Sequence, residues 1–194
     1  MSVFYCALDV KSLLHHPPSV DEIRPEACPC CEVASRPVGG PVRLHGHGLR
    51  DRMVIWVDGC DSLPRRAVLK LRRYRCTRCG AVITVLPRDL PRHRRHALGL
   101  ICLALALWSD GELSAEKVRE RLGLHKSFEA GWPQLRRWAR GAEFIALGLI
   151  AELPHERAHQ ITQRVCGRAP PDKRHLSIAQ MTFLGAAYVM RQAA

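Results

Sequence analysis

Two periods of apolar and polar residues divide the chain. Between residues 26 and 90 the apolar residues come in short runs, and three of these read as strands: 52–57, 67–75 and 81–86. All three are rich in Val, Ile, Leu or aromatic residues. Gly59, Pro64 and Gly80 punctuate them, and Pro87 and Pro91 close the region. From Pro91 onward the spacing is helical. Pro91 suits a first helical position, and 92–108 reads as one buried helix. Asp110-Gly111 reads as a turn. Ser114 is a fitting cap for a helix over 115–122, and Gly123 fits a left-handed end. Pro133 can open a third helix over 133–140, with Leu135 and Trp138 on one face and Arg136, Arg137 and Arg140 on the other. Two further helices are expected over 144–166, interrupted near Pro154, and over 177–192. Residues 1–25 show turn signals and little period, and read as an extension.

The expected class is therefore α+β: a small β-rich ribbon followed by an all-α, helix-turn-helix-like bundle. The expected divisions are 1–25, 26–90, 91–142 and 143–194. The longest apolar run, 97–108, is too short to cross a bilayer. No basic segment followed by an apolar one opens the chain, so a cytoplasmic location is expected, without membrane attachment.

Charge sharpens this picture. The 194 residues hold 30 Lys and Arg against 18 Asp and Glu, a formal net charge of +12. Residues 43–95 alone hold 14 cations and 4 anions. Like charges at that density repel unless an anion joins them, which points to nucleic acid. Arg suits bidentate contact with phosphate and guanine.

Nine cysteines in a reducing compartment argue for metal rather than disulfides. Cys28-Pro-Cys-Cys31 and Cys76-Thr-Arg-Cys79 each contain a C-x-x-C pair. Two such turns can aim four thiolates at one tetrahedral ion, so Cys28, Cys31, Cys76 and Cys79 are the expected ligands of one structural Zn2+. Four thiolates and Zn2+ leave −2, which Arg75 and Arg78 stand beside. Cys30 reads as a bystander, and Cys102 as core. His45-Gly46-His47 offers extra ligands and is distantly similar to the two-histidine motif of rolling-circle nucleases. With Gly between the histidines and Tyr188 on an expected buried face, a Gly-rich basic turn is the better reading.

The order of motifs is C-P-x-C, H-G-H-G-x-R-x-R, L-R-R-Y-R-C-x-x-C-G, L-P, then a basic segment, an apolar helix and L-S-x-x-x-V-x-x-R-L-G. It resembles the N-terminal zinc-ribbon plus helix-turn-helix module of bacterial insertion-sequence transposases, and free-standing short proteins related to it. The resemblance covers about residues 26–145, and Gly131–Trp138 fits it too. It implies binding to mobile-element or operator double-stranded DNA, without the transposase's own catalytic domain. After residue 95 the acids are scattered through helical segments rather than set on a sheet.

The expected DNA contacts are Arg50, Arg52, Arg65, Arg66, Arg72, Arg73, Arg92, Arg94 and Arg95 for phosphates. Gln134, Arg136, Arg137 and Arg140 would read bases from the third helix, or a short helix at 127–130 would do so. Arg92–Arg95 in a first helical turn would suit a phosphate. Two other uses fit the same residues: an RNA-binding zinc ribbon, and an adaptor recruiting a separate transposase. The stripe Ile178, Met181, Leu184 and Tyr188 is core, or the seam of a homodimer.

Overall fold

A computed structural model describes residues 2–110, 113–124 and 132–189. The chain is mixed α and β and divides into two compact units. The first unit holds residues up to 54 together with 67–95. The second holds 55–66 and everything from 96 onward.

The sheet is built from β1 (Ser2–Cys6), β2 (Leu44–Trp56), β3 (Arg65–Cys76) and β4 (Val82–Pro87), in the order β1-β4-β3-β2. β4 pairs antiparallel with β3, Tyr74 opposite Ile83, and parallel with β1, Phe4 opposite Val85. The unbroken apolar run of β4 suits this interior place, and Ile83 to Pro87 are all buried. Val10, Leu13, Leu44, Leu69, Tyr74 and Leu90 complete the first unit's core.

Residues 1–25 are not merely an extension: they supply strand β1 and a short helix, α1 (Val10–His15), capped by the Asp9 carboxylate on Ser12 N–H. Their apolar residues are too few to show a period, and β1 is fixed by pairing with a strand about eighty residues away. His45-Gly46-His47 is not a turn between strands but part of β2, exposed to solvent. The expected strand 52–57 is only the end of that longer strand. Its exposed first half carries little apolar signal.

In the second unit, α2 (Leu98–Ser109) is buried along nearly its whole length. Around it pack α3 (Ala115–Arg121), α4 (Gln134–Ala139), α5 (Pro154–Cys166) and α6 (Ile178–Gly185). A helix apolar on every side belongs at such a centre. Among the described residues no helix is long and apolar enough to cross a membrane. Ser114 caps α3 by accepting from Lys117 N–H, and Gly123 ends it at φ +60°. Trp138 is fully buried and meets Trp132 edge-on at 5.3 Å. Gly185 faces the Val165 carbonyl so closely that an added Cβ would lie 1.9 Å from its oxygen. That glycine sets the approach of α6 to α5.

The first helix of this half begins later than expected. Residues 91–95 form a turn, with Arg94 N–H donating to the Pro91 carbonyl, and Ala97 is extended. Ala97 N–H instead donates to the Ile55 carbonyl, where His96 bridges to Ile55. Arg92, Arg94 and Arg95 therefore do not sit in a helical first turn. Consecutive cations there would oppose the helix dipole. Residues 144–166 split into a 3-10 turn (Ala142–Leu147) and α5, and 177–192 shortens to α6 and a 3-10 turn (Ala186–Tyr188). Tyr188 is exposed rather than buried, and Ile178 is exposed too. The short helix expected at 127–130, and 190–192, lie outside the described residues.

Candidate functional site: a four-cysteine cluster and a basic cleft

Cys28, Cys31, Cys76 and Cys79 converge, all four sulfurs lying within 4.8 Å of one another. Cys28 Sγ lies 3.7 Å from Cys79 Sγ, and Cys31 Sγ lies 3.7 Å from Cys76 Sγ. A disulfide would bring sulfurs to about 2.05 Å. Sulfurs about 2.3 Å from one tetrahedral ion sit about 3.8 Å apart. The cluster has the dimensions of a metal site, and it can hold one metal ion.

The two turns are built alike. Glu32 N–H donates to the Cys28 carbonyl and Gly80 N–H to the Cys76 carbonyl. In each turn the residue after the second cysteine is left-handed: Glu32 at φ +59° and Gly80 at φ +72°. Cys28 N–H donates to Val33 and Cys76 N–H to Ala81, closing each turn on itself. Thr77 N–H donates to the Arg43 carbonyl, tying the second turn to the approach to β2.

Thiol electrostatics follow from the crowding. Burial works against ionisation of Cys76, but the N–H groups of Cys79 and Arg78 and the neighbouring sulfurs hold its thiol down at about 7. For Cys79, the Ala81 N–H pulls downward, and burial with three adjacent sulfurs overrides it and pushes the thiol up to about 12. Four thiols this close cannot all ionise without a cation among them, so metal binding would release protons.

Cys30 points away from this set; it is exposed, with its sulfur 2.8 Å from Ser2 Oγ. Cys102 is fully buried in α2, and burial pushes its thiol far up. Among the described residues no histidine joins a metal-ligand group, so His45 and His47 stand apart from the cluster. Arg78 reaches the cluster's backbone, Nη1 lying 3.5 Å from the Cys31 carbonyl oxygen. Arg75 is exposed.

The arginines separate into groups. Arg50, Arg52, Arg92, Arg94 and Arg95 line one cleft of about 560 Å³ in the first unit. Arg50 and Arg52 are two apart on β2 and so share a face. Arg52 is half-buried, and its guanidinium donates to the carbonyls of Pro91 (2.9 Å) and Arg94. Burial, helped by Arg50, pulls its pKa below the usual arginine range. Arg72 donates from Nε to the Pro18 carbonyl at 2.8 Å, and Arg73 is half-buried with its Nε enclosed. Neither lines the cleft. In the second unit Arg65 pairs with Asp58 at 2.9 Å, and Arg66 is exposed. Arg136, Arg137 and Arg140 are exposed on and just after α4, and Gln134 is half-buried.

His155-Glu156-Arg157-Ala158-His159, on α5, has the H-E-x-x-H order that holds zinc in metalloproteases. Here the rings are otherwise engaged. His155 Nε2 lies 3.2 Å from the Trp108 carbonyl oxygen, and its ring stands edge-on to Trp108. Gln163 Nε2 donates to His159 Nε2 at 2.8 Å. Among the described residues no third ligand completes a set with them.

The chain matches no known family, no curated protein and no solved structure.

Proposed function

We propose that this chain is a DNA-binding protein of transposase-related type, with its first unit fastened by one structural zinc ion and no catalytic activity of its own. The observation that carries the reading is the cleft in which Arg50, Arg52, Arg92, Arg94 and Arg95 meet, with Asp51 as the one carboxylate in its lining. Five arginines against one carboxylate give the cleft a positive field, which attracts a phosphate backbone. Four thiolates suit zinc, and a closed four-sulfur site leaves no position for a substrate, so the ion's work is to hold β3 against the N-terminal turn. In the second unit, Arg136, Arg137 and Arg140 offer an exposed basic face on α4 for base contacts.

The test is binding of random-sequence duplex DNA and of the corresponding RNA, with zinc present, across a salt series. DNA affinity falling steeply with salt supports the reading. Affinity that ignores salt, or a clear preference for RNA, refutes it. A second reading, an adaptor for a separate transposase, draws on Ile145, Ile150 and Leu153, which are exposed at 70%, 86% and 61%.

A further inference from the structure

One end of the sheet in the first unit is two strands wide. β3 pairs with β4 through Arg73, Tyr74 and Arg75. Residues 67–72 lie beyond those pairs, with β2 as their neighbour. Residues 57–64 join β2 to β3, a link too short for a parallel crossover, so the two strands run antiparallel as a ribbon. Its two faces differ. Val54, Leu69 and Leu71 are buried and turn to the core. Side chains alternate along a strand, so Leu49, Asp51 and Met53 of β2 and Val68 and Lys70 of β3 turn the other way. All five are exposed, Leu49, Met53 and Val68 at 46%, 44% and 50%.

That outward face is not an ordinary solvated one. The open side of an antiparallel sheet is normally polar, yet three of these five side chains are large and aliphatic. Met53 and Val68 each stand three residues from the connection, so they fall at the same end of the ribbon. Among the aliphatic groups stand one carboxylate, Asp51, and one ammonium, Lys70. The major groove of B-form DNA admits a two-stranded ribbon, and its base edges offer partners for each of these groups. A cytosine amino group donates to a carboxylate, guanine accepts from an ammonium, and a thymine methyl packs on aliphatic carbon. Asp51 and Met53 also belong to the lining of the basic cleft, so the outward face adjoins that positive field at β2. Phosphates drawn there would bring the groove against the ribbon.

We propose that the outward face of β2 and β3 enters the major groove of duplex DNA, where Asp51 and Lys70 read base edges and Leu49, Met53 and Val68 meet thymine methyl groups. The inference rests on the DNA-binding reading and adds to it a sequence-reading surface in the first unit, besides the one on α4.

The experiment uses the full zinc-loaded chain. A random-sequence duplex pool yields the preferred site. Fluorescence anisotropy then measures that duplex, its single-base-pair variants, and a copy with uracil in place of thymine, which lacks only the methyl groups. Asp51→Ala and Lys70→Gln are each expected to lose about tenfold discrimination at one base pair. The uracil copy should bind wild type about fivefold more weakly. Met53→Ser should abolish that difference, and Val68→Ser takes its place should the first variant fold poorly. Arg136→Ala, Arg137→Ala and Arg140→Ala together should leave these effects in place. A site preference unchanged by Asp51→Ala, Lys70→Gln and Met53→Ser overturns the inference and leaves DNA binding standing, as does binding without any preference. A free chain that sediments as a dimer, dissolved by Met53→Ser, assigns the face to a second copy and overturns it too. A chain that binds no duplex overturns the inference and the DNA reading together.

Discussion

Cys28 and Cys79 stand 51 positions apart in the chain, yet their sulfurs lie 3.7 Å from each other. The intervening chain makes β2 and β3, so one ion at this point would fasten the sheet to the N-terminal turn. Native protein purified without chelator should carry one zinc per chain by elemental mass spectrometry. Structural zinc is worth on the order of 10 kcal/mol to small sites at neutral pH. Cys76→Ser should therefore lose both the metal and the thermal transition of the first unit. A metal-free wild type with an unchanged transition would remove the zinc claim.

The two cysteine turns differ at one matched position, and that difference is measurable. Gly80 and Glu32 both have left-handed backbones, which costs a residue with a side chain roughly 1–2 kcal/mol. Gly80→Ala meets no atom within 4 Å, so its cost is conformational alone. It should destabilise by about 1 kcal/mol. Glu32→Gly should do the reverse by a similar amount, and urea unfolding of the zinc-loaded protein reads both. Equal and opposite shifts support the match between the turns; no shift in either denies it.

Gly185→Ala should be far more harmful than its size suggests. A Cβ at 1.9 Å from the Val165 carbonyl oxygen cannot be accommodated by a side-chain rotation, since the backbone fixes the Cβ and the oxygen it meets is itself backbone. Parting α5 from α6 should cost about 3 kcal/mol. Circular-dichroism melting compares it with Gly167→Ala, whose nearest contact is 3.5 Å and which should cost less.

Asp89 makes stability depend on pH. Its carboxylate accepts from Val10 N–H, but burial pushes its pKa up to about 6. The folded chain therefore binds the proton more tightly than the unfolded one. The sign follows: between about pH 4 and pH 6 stability attributable to this group falls as pH rises, and above pH 6 the loss is complete. Asp89→Asn keeps an oxygen for Val10 and carries no charge. It should be more stable than wild type at pH 7.5 by on the order of 2 kcal/mol, and the gap should narrow at pH 5. A gap independent of pH would assign the effect to packing.

What could be read from sequence depended on the range of the cause. The C-x-x-C pairs were legible because the spacing itself builds the turn, and the same four cysteines converge. Ser114 and Gly123 were legible because a cap acts within three residues. β1 was not, because five residues owe their conformation to a distant partner strand. The placement of Arg92–Arg95 in a helix failed for a related reason. Pro91 allows a helix to start, but Ile55 holds Ala97 extended, and nothing local announces that bond. Arg50 and Arg52 could be singled out by charge, whereas the cleft they share with Arg92, Arg94 and Arg95 is a tertiary product. Gly185 gave no signal either, since its neighbour Val165 lies on another helix.

The division of the chain bears on how it can be dissected. Residues 55–66, which close the link between β2 and β3, belong with the helices, so the backbone passes from the first unit to the second, returns, and leaves again. No single cut frees either unit. A fragment beginning at residue 96 would lack Val57, a member of the helical core, and one ending at residue 95 would keep a loop stripped of its partners. Each unit expressed alone would need its chain respliced, with a short linker replacing 55–66 in the first case and that segment grafted ahead of α2 in the second.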